Sequence, residues 1–247
     1  MLEKTMFTPK TLSFLRSLKR NNKREWFRAR KDQYLIHCRQ PAMDVVARLA
    51  EDFRAFAPEF IADPKVSLLR PYRDTRFSED KTPLKTHVGA TFPHRALGRM
   101  NGAWFYFEVS GAWVWIGGGM WRPDTSQLQL VREHIAANYR QLDKIVNSPA
   151  FKKIGGLQGD MMTRVPRGYP KDHPAAEYLQ YRQFMGFRED PPTLATSKDF
   201  YKQLRGTFET VAPLVHFLNE PLVASLKTDR RAHVFERDSA FDSEVAY

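Results

Sequence analysis

Apolar residues recur every three or four positions in four stretches of the chain, which predicts four amphipathic helices. The first begins at Thr8-Pro9, because Thr is a favoured N-cap and Pro a favoured first helical residue. The second lies beyond Pro41, the third follows Asp124 and the last follows Ser197. The apolar positions that define them are, in order, Leu12, Leu15 and Leu18; Val45, Leu49, Phe53 and Phe56; Leu128, Val131, Ile135, Leu142 and Ile145; and Phe200, Leu204, Phe208, Val211 and Leu214.

The middle of the chain has the composition of strands. Residues 104–110 and 113–116 are rich in aromatic and β-branched side chains, and Gly111-Ala112 between them suits a two-residue hairpin turn. Residues 66–70, 87–92 and 183–187 are further strand candidates. Helices at both ends of a hairpin-rich middle predict an α+β fold with a mostly antiparallel sheet and a central aromatic hairpin. We expect one domain over residues 1–226 and a charged tail over 227–247, poorly ordered or docked.

Composition narrows the classes of function. The chain has 247 residues and a net charge of +11, which favours polyanionic partners. The basic residues between Arg24 and Arg39 are a candidate nucleic-acid surface, although such a run is more often the solvated side of a helix. No apolar run approaches the roughly 18 residues of a membrane span, and none resembles a signal peptide. Cys38 is the single cysteine, so no intramolecular disulfide forms, and we expect a cytoplasmic protein without a membrane partner.

The densest charge lies between residues 70 and 87, in a segment pinned by Pro71 and Pro83. Arginine side chains present planar forks of donors that bind carboxylates or phosphates through two oxygens. We expect this segment to line an anion-binding cleft, with Asp74 or Asp80 as general base or metal ligand. The alternative is a salt-bridge network that only joins the sheet to the helices. We favour function, because buried ion pairs seldom stabilise a fold more than apolar residues do. The predicted anion-binding residues are Arg70, Arg73, Arg76, Ser78, Lys81 and Lys85.

Three further features are candidates with common alternatives. The backbone N–H groups around Gly118 suit an anion, although the spacing matches neither phosphate-loop fingerprint and a bulge at a strand end is the more frequent explanation. Asp172-His173 supplies either an acid–base imidazole or an N-cap ahead of Pro174. His87 is a second titrating group or a structural residue. No nucleophile elbow or paired metal-ligand motif occurs, so the sequence names neither a metal nor a cofactor.

Several strings together resemble the domain-of-unknown-function family 2461 of bacteria, fungi and plants. The resemblance extends from about Phe7 to Asn219, and the chain departs from the family pattern at Leu84, where Tyr is usual, and at Arg167, where Lys is usual. The positive charge at Arg167 is kept, so we include this residue among the anion-binding candidates. The resemblance implies a shared fold and a shared site but no reaction. The strings are Asn21-Asn22 with Trp26-Phe27; Tyr72-Arg-Asp-Thr-Arg-Phe-Ser-Glu-Asp-Lys-Thr-Pro-Leu-Lys-Thr86; Gly117-Gly-Gly-Met-Trp-Arg-Pro123; Gly168 with Asp172-His-Pro174; and Pro213 with Phe217-Leu-Asn219.

Two main hypotheses of function stay open. A third is a structural adaptor whose charges only stabilise the fold. In the first, an enzyme or former enzyme holds a phosphorylated or otherwise anionic small molecule through the segment's cations, and Asp74, Asp80 or His173 moves protons. In the second, a non-catalytic protein binds nucleic acid with the basic helix and the same cleft. A closed pocket that unites the charged segment with Gly118 and His173 favours the first hypothesis. A positive surface shared with Arg24 and Arg28 favours the second.

Overall fold

The computed structural model of the protein describes residues 5–76, 78–98 and 101–228, with side chains as far as residue 226. The chain contains one π-helical turn, Leu35–Arg39, and one 3-10 helix, Pro192–Thr196, within the described residues. The strands are β1 (His87–Phe92), β2 (Trp104–Ser110), β3 (Val114–Met120) and β4 (Phe184–Asp190). The helices are α1 (Pro9–Arg20), α2 (Arg24–Arg28), α3 (Lys31–Tyr34), α4 (Gln40–Phe56), α5 (Pro64–Ser67), α6 (Thr125–Val146), α7 (Pro149–Lys153), α8 (Ala176–Leu179) and α9 (Phe200–Thr228).

The four strands form one antiparallel sheet in the order β1-β2-β3-β4, so each strand pairs with its neighbour in sequence. This arrangement confirms the predicted α+β class. The single domain over residues 1–226 stays a prediction, and residues 229–247 of the predicted tail lie outside the described residues. None of the described helices combines the length and the apolar character that crossing a membrane requires.

One face of the sheet is covered by helices and forms the core. Phe105 and Phe107 of β2 are fully buried on this face. The ring centroid of Phe208, on α9, lies 5.2 Å from that of Phe105, 5.6 Å from that of Phe92 and 6.0 Å from that of Phe53 on α4. These rings interlock the two helices with the sheet, and the apolar area that they remove from water stabilises the fold.

The opposite face, which we call the open sheet face, carries the other residues of each strand. Because side chains alternate along a strand, the residues across from one another in register share a face. Tyr106, Trp113, Trp115 and Phe187 keep part of their surface exposed there. The open sheet face consists of His87, Gly89 and Thr91 from β1; Trp104, Tyr106, Glu108 and Ser110 from β2; Trp113 just before β3 and Trp115 within it; and Phe187 and Glu189 from β4.

Two strand predictions were wrong. Residues 64–67 form a helical turn, because Asp63 accepts a hydrogen bond from the Lys65 N–H (2.7 Å) and so caps a Pro-initiated helix. The glycines at 117–119 lie inside β3 and do not follow it as a bulge. A Cβ atom on Gly117 would lie 2.3 Å from the Gly186 carbonyl oxygen, so glycine is needed there for β4 to approach.

We expect Phe208→Ala to lower the free energy of unfolding by about 3–5 kcal/mol, because it leaves a cavity among three packed rings. Lys202→Ala, an exposed site on the same helix, is the matched control and should change this free energy by less than about 0.5 kcal/mol. Urea denaturation followed by circular dichroism measures both variants. Similar losses in the two variants would contradict the placement of Phe208 in the core.

Candidate functional site

The charged loop, which we define as residues 70–86, forms a narrow excursion from the edge of the sheet. The Leu69 N–H donates to the Gly89 carbonyl of β1 (3.0 Å), and the loop returns to the sheet at His87. Its two arms are joined by hydrogen bonds from the Arg73 N–H to the Pro83 carbonyl (2.9 Å) and from the Lys85 N–H to the Pro71 carbonyl (2.8 Å). These two bonds hold the arms of the loop together next to the sheet.

The loop is held against the N-terminal helices by a reciprocal pair of hydrogen bonds. The Asn22 side chain donates to the Leu84 carbonyl (2.8 Å) and accepts from the Leu84 N–H (3.0 Å). Leu84 itself is fully buried, and the ring of Tyr72 meets that of Phe27 edge to face at 5.8 Å. These contacts place α2, with Arg24 and Arg28 exposed on it, directly beside the charged loop.

Within the loop, Arg73 is bound by side chains of the same loop. Its guanidinium donates to Asp80, to the Thr82 hydroxyl and to the Ser78 hydroxyl (3.3 Å). The Thr82 N–H donates to Asp80 (2.9 Å), and this bond together with Arg73 lowers the pKa of Asp80 to about 2. Asp80 therefore orients the guanidinium and is a weak base at neutral pH.

Arg76 and Asp74 form a second pair at the surface. The guanidinium donates to both carboxylate oxygens, at 3.0 and 2.7 Å, and holds the pKa of Asp74 at about 2. The Arg76 side chain is 78% exposed, so this pair is open to solvent and to ligands. The predicted role of Asp74 and Asp80 as general bases stays a prediction, and their low pKa values speak against it.

The remaining predicted cations of the loop have different environments. The Lys81 ammonium donates to the Thr75 carbonyl (3.0 Å), a neutral acceptor that leaves its charge uncompensated by that contact. Arg70 is exposed and Lys85 is half-buried next to β1. Within the described residues, no three His, Cys, Asp or Glu side chains converge in the way that a metal ion requires.

Gly118, His173 and Arg167 belong to other parts of the fold than the charged loop: β3, the residues just before α8, and the segment between α7 and α8. Gly118 faces α9, since a Cβ atom there would lie 3.0 Å from the Val215 side chain, and its assignment to the anion site stays a prediction. The His173 Nδ1 accepts the Ala175 N–H (3.0 Å) just before α8, whose N-cap residue Ala175 has no side-chain cap, and the acid–base role of His173 stays a prediction. Arg167 is exposed in the loop between α7 and α8.

The structure adds a buried polar group, the Glu108 cluster, which we define as Glu108, His87, Tyr106 and Trp113. Glu108 is only 4% exposed. Its carboxylate accepts from the Trp113 Nε1–H (2.6 Å) and from the Tyr106 hydroxyl, and the His87 Nε2 lies 3.2 Å from it. A buried carboxylate without such partners would be strongly destabilising, so these three side chains are held in place by it.

His87 is the titrating group that joins this cluster to the charged loop. Burial lowers its pKa, the nearby cations Lys85 and Arg73 lower it further, and Glu108 opposes them. The imidazole is therefore neutral at neutral pH. Burial and Glu108 also raise the pKa of Tyr106, so its phenol remains a hydrogen-bond donor.

One signal in the sequence pointed to this cluster. Glu108 is the single charged residue in an otherwise aromatic and apolar strand, and it shares strand parity with Tyr106. Its pairing with His87 depends on the register of β1 and β2, which places Gly89 opposite Glu108 and His87 opposite Ser110. Single-sequence patterns do not fix that register, because loops of several lengths would satisfy them.

The fold and the site together define an α+β protein with a four-stranded antiparallel sheet. A charged, arginine-rich loop leads directly into its edge strand, β1. The chain belongs to the family described as "Conserved hypothetical protein (DUF2461)", whose model matches residues 10–217. The resemblance stated from the sequence motifs is thereby confirmed. A search of the curated proteins found no match.

We expect Lys85→Met to raise the pKa of His87, because removing a nearby positive charge makes the imidazolium less unfavourable. A titration of the histidine ring signals by NMR measures this pKa in both proteins. Lys10→Met, an exposed site on α1, is the control and should leave it unchanged. An identical His87 titration in Lys85→Met would contradict the placement of Lys85 beside the Glu108 cluster.

Proposed function

We propose that the protein binds a phosphate ester or a similar anionic small molecule at the charged loop, next to His87. One observation carries the proposal. Hydrogen bonds between the two arms of the loop, from the Arg73 N–H to the Pro83 carbonyl (2.9 Å) and from the Lys85 N–H to the Pro71 carbonyl (2.8 Å), hold both cationic residues close to the point where the loop rejoins the sheet at His87. Charge-assisted hydrogen bonds from such cations are the strong, specific contacts that proteins use for phosphate.

The charges of the loop are compatible with a guest anion. Residues 70–86 contain five cations and three acids, which leaves two positive charges. The pair of Arg76 with Asp74 is exposed, and exposed pairs stabilise a fold little, so a phosphate can compete for the guanidinium. Asp74 and Asp80 then act as restraints that keep the forks of Arg76 and Arg73 oriented between binding events.

Binding has more direct support than catalysis. Asp74 and Asp80 have pKa values of about 2, far below the values near neutrality that suit a general base. Of the predicted proton carriers, His173 has its Nδ1 engaged by the Ala175 N–H (3.0 Å). If the site is catalytic, His87 is the side chain best placed to accept a proton, because Glu108 orients it and the cations keep it neutral.

We expect Lys85→Met to weaken the binding of methyl phosphate by about tenfold or more, since a hydrogen bond to a charged group contributes about 1.5–3 kcal/mol. Isothermal titration calorimetry at low salt measures the affinity, with Lys10→Met as the charge-matched control. Absence of binding to the wild-type protein, or equal binding by the two variants, would refute the proposed site.

A second candidate, binding of single-stranded nucleic acid, is favoured by the docking of α2 on the loop. The Asn22–Leu84 bonds and the Phe27–Tyr72 contact hold α2, which carries Arg24 and Arg28, beside the charged loop. This docking supports a positive surface that α2 and the loop share. A net charge of +11 adds a long-range attraction for polyanions.

For this candidate we expect the affinity for a fluorescent oligothymidine to fall with salt, with a logarithmic slope of about −0.7 per phosphate contacted. Arg28→Met should reduce the steepness by about 0.7, whereas Lys202→Met, on the surface of α9, should leave it unchanged. Fluorescence anisotropy at several salt concentrations gives the slope. A wild-type protein that does not bind at the lowest salt rules this candidate out.

A further inference from the structure

We propose that Arg132 is the centre of a second anion site, at the edge of the sheet opposite the charged loop, and that its ligand is an oxyanion, either a carboxylate or a phosphate group. The site lies between α6, which carries Arg132, and the chain that leads into β4. Because β1 and β4 are the two edges of the sheet, this site is separate from the charged loop and does not depend on the function proposed for it.

Arg132 is a buried cation with unused hydrogen-bond donors. Only 9% of its surface is exposed. Its Nη2 donates to the Tyr181 carbonyl (3.1 Å) and to the Met162 sulfur (3.2 Å), and both acceptors are neutral. Its Nε is buried without a hydrogen-bond partner, and its Nη1 donates to no acceptor in the described part of the chain. A guanidinium has five N–H donors and stays protonated in proteins, so the donors on Nε and Nη1 remain available to a ligand.

The acids that could compensate Arg132 are bound elsewhere. Among residues 5–76, 78–98 and 101–226, no carboxylate forms an ion pair with its guanidinium. Glu133, the next residue on α6, accepts from the Gln129 side chain (2.6 Å), and Asp160 accepts from the Gln183 side chain. The residue after Tyr181 is a second cation, Arg182. The charge of Arg132 is therefore balanced by no side chain that the structure describes.

The energetics favour an exchangeable counterion over a purely structural role. A buried charge that only neutral acceptors contact is strongly destabilising, and an apolar side chain of similar volume usually suits a protein interior better. Burial accordingly lowers the pKa of Arg132, while Tyr169 opposes this effect and Arg182 adds to it. An oxyanion supplies both the negative charge and the acceptor atoms for Nε and Nη1, and hydrogen bonds between two ionised groups are the stronger kind.

The chemistry of the donors selects an oxyanion over other occupants. A water molecule can accept from Nε, but it leaves the charge of Arg132 uncompensated. A halide carries charge on a single atom, whereas a carboxylate or a phosphate places at least two oxygens against the separate donors of a guanidinium. Met162, which contacts Nη2, is only half-buried, and its flexible unbranched side chain can move to admit such a group.

The first test uses the wild-type protein, with acetate and inorganic phosphate as probes in a chloride buffer of constant ionic strength. At least one probe should shift the NMR signal of the Arg132 Nε–H in a saturable way. A response to acetate alone assigns a carboxylate ligand, a response to phosphate alone assigns a phosphate group, and a response to both assigns a site for either. If neither probe moves this signal, the inference is overturned.

The second test separates this site from the charged loop by using Lys85→Met as the starting protein. Isothermal titration calorimetry measures its affinity for the probe that shifts the Arg132 signal. Adding Arg132→Met should weaken this binding by at least about tenfold, since the ligand loses hydrogen bonds to a charged group. Adding Lys10→Met, at an exposed site on α1, is the charge-matched control and should leave the affinity unchanged.

The outcomes for the two anion sites are distinguishable. Equal affinity with and without Arg132→Met would mean that Arg132 is structural and would overturn the inference, whatever the charged loop binds. If the Lys85→Met protein still shifts the Arg132 signal while the charged loop binds no phosphate ester, the proposed function fails and the Arg132 site stands. Because the NMR measurement needs no substitution of Arg132, it decides the question even if Arg132→Met does not fold.

Discussion

The buried carboxylate of Glu108 is the interaction on which the arrangement of the open sheet face depends. An ionised carboxyl group removed from water must be compensated by donors, and here Trp113 and Tyr106 supply hydrogen bonds while His87 lies within reach. Each partner comes from a different part of the sheet: β1, β2 and the start of β3. This one electrostatic requirement therefore positions both His87, where the charged loop rejoins the sheet, and Trp113, just before β3.

The ion pairs of the charged loop differ from the Glu108 cluster, because they lie at the surface. Asp80 and Asp74 each sit within seven residues of the arginine that they bind, so the pairs form locally and require little of the remaining fold. Such pairs add little stability in water. Their effect is to limit the rotamers of Arg73 and Arg76.

The sequence predicted the elements better than it predicted the site. Periodicity identified α1 and α6, and the capping residues Thr8 and Asp124 marked where each begins. The strand predicted at residues 66–70 was wrong, because Asp63 caps a helical turn that begins at Pro64. A short apolar run does not distinguish such a turn from a strand. The loop cations were identified from their density alone, but Glu108 and His87 lie 21 positions apart in the chain and meet only through strand register.

The two faces of the sheet differ in how much their aromatic side chains contribute to stability. Phe105, Phe107 and Phe208 contribute buried area on the helix side, where a polar substitution would be costly. On the open sheet face, Trp115 and Phe187 remain partly in solvent, so the fold gains less from them than from a core ring. Because the fold depends less on the rings of the open sheet face, substitutions there can be studied while the helices keep the protein folded.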